Sequence, residues 1–448
     1  MTKDNSLTKR ARIAFAQLAN ETHNELHSLC VEAGYVVAPI DDPSPVDIAI
    51  IDTRENKLTA RRTNVIADKI RKSSPEATLL FVVNREIIQS ANTTLKRFGE
   101  TIPADNQLDH LIPRIQKILR IRNIAEEAGE RLKTLTTLNR AVDFPVISTD
   151  TSPSRVLIIG TPGPAAIAAI NATSTIADLC ACVLTPGQAM RALDHQTFDV
   201  ALFLPSEKNG AMTALVRALR RHPKYGRIAL IHIIARNAPL PNMAGCGGAD
   251  FILESQIALN LAQKIQFAAR RARLLHSMRG FLRACAGDGV RDSMSGIFTP
   301  TFLGQHGARL LSRSEQTNRP LSLIVVRLGG KGHLNTNTGA RTLQKAASLL
   351  GRITRAEDLA ARISRDTFVI LLPATNGEDA TRIALRIDGV LSNTAFRNNA
   401  SDRPSSMHVE VAIQEHEPGA AISEIVARAI VQLPRRQGIK RPQRQSPQ

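Results

Sequence analysis

Asp47-Ile48-Ala49-Ile50-Ile51-Asp52 is an unbroken apolar run between two carboxylates. A strand with one wet face alternates apolar and polar residues. A continuous apolar run of this length is buried on both faces, as in a parallel sheet covered by helices on either side. The same signal recurs outward from it. Arg12-Ile13-Ala14-Phe15-Ala16 precedes it, Tyr35-Val36-Val37 opens a further strand, and Thr78-Leu79-Leu80-Phe81-Val82-Val83 follows, with helical stretches between them. Strands alternating with helices predict an α/β unit with a doubly wound parallel sheet. A long helical pattern, about Leu108 to Leu135, carries Ile115, Ile118, Leu119, Ile121 and Ile124 on a broad apolar face and closes this unit.

The alternation then restarts. A Pro/Ser/Thr/Asp-containing stretch from Asp143-Phe144-Pro145 to Thr151-Ser152-Pro153 reads as a linker. Arg155-Val156-Leu157-Ile158-Ile159, the run from Phe198 to Leu204, the run from Ile228 to Ile234, and Gly248 to Leu253 reproduce the first rhythm, an internal repeat of one α/β unit. A basic helix from about Ile257 to Arg283 leads to a third unit whose strands include Leu321–Leu328, Thr367–Leu372 and His408–Ala412. The predicted division is 1–140, 141–283 and 284–433, with 434–448 as a basic disordered tail that holds no acidic residue.

Bulk composition narrows the chemistry. The chain has 448 residues, ample for several cores, and 43% of them are hydrophobic. No apolar run reaches the roughly 18–20 residues of a membrane span, and the polar start Met1-Thr2-Lys3-Asp4-Asn5 lacks a signal-peptide core, so a cytoplasmic protein is expected. Five scattered cysteines fit a reducing compartment better than a disulfide framework. No metal-ligand spacing stands out, and no metal or cofactor is expected. The balance of 58 Lys+Arg against 40 Asp+Glu, net +18, attracts polyanions from nucleic acid to nucleotide ligands.

The third unit is specific. Thr354-Arg355-Ala356-Glu357-Asp358 through Ser364-Arg365-Asp366-Thr367-Phe368 to Pro373 resembles the centre of the GGDEF diguanylate cyclase family: RxxD, five residues, the GGDEF hairpin, then an apolar strand ending in Pro. Asp292-Ser293-Met294-Ser295-Gly296 is similar to the domain-opening D-x-L-T-G, Leu321–Val326 to the first core strand, and Asn335 with Gly339 to N-D-x-x-G-H. With two receiver-like units ahead of it, the layout resembles the receiver–receiver–GGDEF family of PleD/PopA type. The resemblance implies two flavodoxin-like receiver-type domains followed by a GGDEF-type α/β domain with a central mixed sheet. It also implies an inhibitory-type site for cyclic di-GMP at Arg355 and Asp358, supported by Arg386. There the guanidinium fork meets guanine O6 and N7 and the carboxylate accepts from the N–H edge.

The catalytic positions of that family are substituted here. The hairpin glycines are Ser364 and Arg365, the second acidic position is Thr367, and the strand-end metal carboxylate is Arg327. The downstream lysine is displaced to Lys331, and the phosphate-binding Lys falls at Pro434. Glycines permit close backbone approach to phosphate and carboxylates hold the metals. The expectation is therefore a protein that is not an enzyme. Asp366 reads as a solvated turn carboxylate.

In the receiver-like units, Asp52 is the candidate phosphoacceptor, but the acidic pair falls at Gln17 and Leu18 and no lysine stands near Ile102-Pro103. In the second unit the acceptor is Leu204, the acidic pair is Gly160-Thr161, and the lysine is Ser255. The turn Gly160-Thr161-Pro162-Gly163-Pro164 imitates a dinucleotide fingerprint but lacks its acidic partner, Asp178 being misplaced for it. Cys180 and Cys182 are expected as buried thiols. Arg270, Arg271, Arg273, Arg279 and Arg283 are expected on a solvated or inter-subunit helix face.

The expected function is a catalytically inactive cyclic di-GMP receptor. It would act as a dimeric signalling scaffold or adaptor in phosphorelay, cell-cycle or developmental control, recruiting protein partners such as substrates for regulated proteolysis, with recruitment to a cell pole. The alternatives are a residual diguanylate cyclase and a nucleic-acid-binding response regulator.

Overall fold

The computed structural model describes residues 11–16, 20–39, 42, 44–52, 60–83, 100–103, 111–140, 152–205, 209–222, 224–235, 249–285, 289–329, 337–396 and 407–433. Gln17, Leu18, Lys331, Asn335, Pro434 and the basic tail lie outside them. Contacts divide the chain into two compact units. One holds Arg10–Gly129 with Asp143–Leu282, the other Glu130–Val142 with Arg283–Gln448.

The first of these units contains two parallel sheets. In chain order its elements begin with β1 (Arg12–Ala16), α1 (Asn20–Glu32), β2 (Val36–Pro39), β3 (Ile48–Asp52), α2 (Ala60–Ser73), β4 (Thr78–Val83), β5 (Glu100–Pro103) and α3 (Leu111–Thr137). They continue with β6 (Ser154–Ile159), α4 (Pro164–Thr173), β7 (Ala177–Val183), α5 (Pro186–His195), β8 (Val200–Phe203), α6 (Asn209–Arg221), β9 (Ala229–Ile234), β10 (Asp250–Leu253) and α7 (Ile257–Ala284). The sheet orders are β2-β1-β3-β4-β5 and β10-β9-β8-β6-β7. Counted within each half both are 2-1-3-4-5, a common doubly wound order. All five residues of β3 are buried, as its apolar run requires.

A carboxylate repeats along with the topology. In the first sheet, Asp47 accepts the Arg12 backbone N–H at 2.8 Å and returns its own N–H to the Arg12 carbonyl, while Arg122 of α3 lies 3.2 Å from the carboxylate. In the second, Asp199 accepts the Arg155 N–H at 3.0 Å, returns its N–H to the Arg155 carbonyl, and pairs with Arg273 of α7 at 3.3 Å. Each repeat thus ties its first strand, the entry to its third strand and its last helix to one side chain.

A second carboxylate, Asp250 at the start of β10, binds Arg114, Arg271 at 3.2 Å and Lys117 at 3.9 Å. Burial works against its charge, but Arg114, Lys117, Arg271 and Lys264 outweigh that and hold it well below the usual carboxylate range. Burial also drives the Lys117 ammonium well below its ordinary value.

The other compact unit continues with α8 (Pro300–Thr317), β11 (Leu321–Gly329), α9 (Asn337–Ile353), β12 (Leu359–Arg362), β13 (Thr367–Pro373), α10 (Gly377–Ser392), β14 (His408–Glu415) and α11 (Ile422–Gln432). Its sheet runs β12-β13-β11-β14. The central sheet was expected to be mixed. Its strand ladders are antiparallel among the described residues, and the parallel component is the single Phe298–Ala361 bridge. Leu343, Ala346, Ala347 and Leu350 of α9, and Ala380, Ile383, Ala384, Ile387 and Leu391 of α10, form helical apolar stripes packed on Ile324, Val326, Phe368 and Ile370. Asn376 starts α10 by accepting the Asp379 N–H at 2.8 Å.

Asp250→Asn leaves the buried Arg114 and the half-buried Arg271 and Lys117 without their counter-charge. It is expected to destabilise the unit of parallel sheets by about 3–5 kcal/mol, read as a lowered urea midpoint. Because the folded carboxyl titrates below its unfolded value, its contribution is present above the ordinary carboxylate pKa and is lost as pH falls through the folded one. The Asn variant should lack that part of the acid sensitivity.

Candidate functional site

Helix α9 ends at Ile353, and the chain turns through Thr354-Arg355-Ala356-Glu357-Asp358 into β12. Thr354 Oγ1 donates to the Gly351 carbonyl at 3.0 Å. Asp358 shapes the turn: one carboxyl oxygen accepts the Arg355 backbone N–H at 2.8 Å, and its own N–H donates to the Arg355 carbonyl at 3.3 Å. The Asp358 side chain is buried, whereas Arg355 is exposed. The Arg355 guanidinium makes no hydrogen bond or ion pair among the described residues. From α10, whose inward face is set by Ile383 and Ile387, Arg386 reaches across and donates to the Ile353 carbonyl at 3.3 Å, one of the acceptors a helix end leaves open.

Arg355, Asp358 and Arg386 therefore meet at one corner. Burial, with Glu357 adding to it, pushes the Asp358 carboxyl up to about 7, while Arg355 and Arg386 pull the other way. The corner presents a planar bidentate donor, a second guanidinium, and a carboxyl that changes charge near neutrality. This set suits an anionic ligand with a guanine-like donor and acceptor edge.

The β12–β13 turn, Ile363 to Asp366, is held by Arg362. Its guanidinium donates to the Ser364 carbonyl at 3.0 Å, to the Arg365 carbonyl at 2.7 Å and to Asp292 at 2.9 Å. Asp292 also accepts from the Ser295 N–H at 2.8 Å and hydroxyl at 2.6 Å. Burial opposes its charge, but Ser295 and Arg362 prevail and hold its carboxyl below the usual range. Asp366 accepts from Thr367 Oγ1 at 3.1 Å and Ser364 Oγ at 3.4 Å, so it is a bonded turn residue and not merely a solvated one. At the end of β11, Arg327 pairs with Glu410 directly opposite on β14. Among the described residues no group of three or more His, Cys, Asp or Glu is gathered for a metal ion. The Arg327 guanidinium, already paired with Glu410, puts a cation at this strand end and does not suit a divalent metal ion there.

Sequence reasoning missed Arg362 and Glu410. Their signals, an arginine at a strand end and a glutamate in a strand, acquire meaning only with the register.

In the unit of parallel sheets, Asp52 closes β3 and is buried. At the matching place in the second sheet stands Leu204, also buried, and Gly160 (φ +142°) fits against it: a Cβ at 160 would lie 2.7 Å from the Leu204 Cβ. Two expectations are corrected. Cys180 and Cys182 are exposed, because β7 is an edge strand and they lie on the face left more open among the described residues. Arg271 and Arg273 do not lie on a solvated face; Asp250 and Asp199 draw them in.

Residues 290–437 match the family model described as "Diguanylate cyclase, GGDEF domain" and are a GGDEF domain. Among solved structures, the chain is similar to the GGDEF domain of DgcB from Caulobacter crescentus in complex with c-di-GMP, at 17% identity, 32% coverage of this chain and 85% of that one, TM-score 0.30. It is also similar to the diguanylate cyclase SiaD in complex with its activator SiaC from Pseudomonas aeruginosa, at 22% identity, 40% and 69% coverage, TM-score 0.31. A third is the active GGEEF domain of a diguanylate cyclase from Vibrio cholerae, at 19% identity, 28% and 80% coverage, TM-score 0.25. No described helix is long and apolar enough to cross a membrane.

The family match corrects the expectation of a protein that is not an enzyme, since the matched family is that of diguanylate cyclases. That expectation rested on side-chain identities at Arg327, Ser364, Arg365 and Thr367. A phosphate can be held by backbone amides, and Asp366 remains on the turn, so the substitutions do not establish loss of activity.

Asp358 gives a pH signature. Its folded pKa exceeds its unfolded value, so its contribution is fully present below about pH 4 and declines as pH rises through about 7. Denaturation of the full chain across this range should lose on the order of a few kcal/mol from this group, and Asp358→Asn should flatten that component.

Proposed function

We propose that the chain is a cyclic di-GMP receptor that binds the dinucleotide at Arg355, Asp358 and Arg386. The observation carrying this reading is the exposed Arg355 guanidinium, without a hydrogen bond or ion pair among the described residues, anchored by its own backbone to a buried carboxyl and flanked by a second arginine from α10. Guanine O6 and N7 accept from Arg355, the ionised Asp358 accepts from the guanine N–H edge, and Arg386 offsets phosphate charge.

The rest of the reading concerns the N-terminal half. Residues 1–140 and 141–283 are two receiver-like modules serving as dimerisation and docking surfaces, so that the dinucleotide controls an adaptor in phosphorelay and cell-cycle signalling. Their shared 2-1-3-4-5 order and the repeated Asp47 and Asp199 ties support a duplicated module. Asp52 is its candidate phosphoacceptor, supported by its place at the carboxyl end of β3.

Titration calorimetry of the full chain with cyclic di-GMP tests the site. Saturable binding is expected, weakened at least tenfold (about 1.4 kcal/mol) by Arg355→Ala and several-fold by Arg386→Ala. An isotherm indifferent to Arg355 overturns the reading. Because the acceptor must be ionised, affinity should rise between pH 6 and 8, and Asp358→Asn should bind weakly with that dependence lost. Incubation with GTP and Mg²⁺ reads the family's cyclase activity in parallel. If product forms, Arg355→Ala should relieve inhibition by that product.

A further inference from the structure

β7 is an edge of the second parallel sheet. Exposure alternates along Ala177–Val183: Asp178, Cys180 and Cys182 are exposed, while Ala177, Leu179, Ala181 and Val183 are partly covered. Side chains two apart on a strand share a face, so the two exposed thiols stand on one face of the edge strand. Thr173 Oγ1, at the end of α4, lies 3.5 Å from Cys180 Sγ and steadies the pair from one side. Cys30 and Cys285 are buried, so this is the accessible thiol pair among the described residues.

Two adjacent thiolates repel unless a cation lies between them. Thiolate sulfur is soft and selects soft ions, whereas calcium and magnesium take oxygen. Structural zinc fills four positions, and no set of three or more candidate ligands occurs among the described residues. That leaves an ion satisfied by two sulfurs.

We propose that Cys180 and Cys182 form a two-thiolate site for one soft, thiophilic cation of the monovalent-copper class. On binding, each S–H bond releases its proton to solvent and each sulfur forms one bond to the metal. The ion keeps its charge and no electrons are transferred. The site is independent of the dinucleotide corner.

The test is anaerobic titration of the reduced full chain with copper(I), supplied as its acetonitrile complex against a competing chromogenic chelator. One equivalent should leave the chelator, with two protons released. Cys180→Ser and Cys182→Ser should each weaken retention at least a hundredfold, and Cys285→Ser, at a buried thiol, should leave it unchanged. Both critical substitutions are at exposed positions, and far-UV circular dichroism checks that the fold is kept. The proposal is overturned if the double serine variant retains copper like the wild type, if the wild type takes none from the chelator, or if one ion serves two chains.

Discussion

Each parallel sheet closes around one carboxylate. Asp47 and Asp199 stand where a first strand, a third strand and a last helix converge, and each receives a backbone amide and a guanidinium. Losing such a side chain would strand a shielded N–H and a partly buried cation together, costing several times what one surface pair is worth. With the amino ends of the strands pinned this way, the carboxyl ends can vary. One repeat carries a buried Asp52 there, the other a buried Leu204. The frame is kept and the contents differ.

The GGDEF domain separates its tasks differently. Arg362 is committed to two turn carbonyls and Asp292, and Arg327 to Glu410, so these two arginines are structural. Arg355 has no such commitment among the described residues. The corner is held instead by its backbone amide and the Asp358 carboxyl, which leaves the guanidinium available to a ligand. The burial that fixes the turn also makes Asp358 a weak acid, so anchoring and proton sensitivity share one cause.

Much of this was legible in the sequence because burial on both faces of a sheet leaves continuous apolar runs. β3, β8, β9 and β13 could be read directly, and the repeat followed from their spacing. The corner was legible through the fixed distance from Arg355 and Asp358 to the strand of Phe368. Partnership across strands was not legible. Arg327 looked like a lost metal ligand until the register set it opposite Glu410. Arg271 and Arg273 looked solvated until Asp250 and Asp199 folded against them. Cys180 and Cys182 looked like core residues because composition cannot tell an edge strand from a central one.

Gly160 and Leu204 interlock: the leucine lies where a side chain at 160 would have to go, and the glycine has a backbone geometry that other residues resist. A carboxylate at 204 alone would sit among apolar neighbours, without an acidic companion at 160 or room for one. Building a charged pocket at this sheet end therefore takes coordinated replacement at both positions, because neither residue can be exchanged without the other.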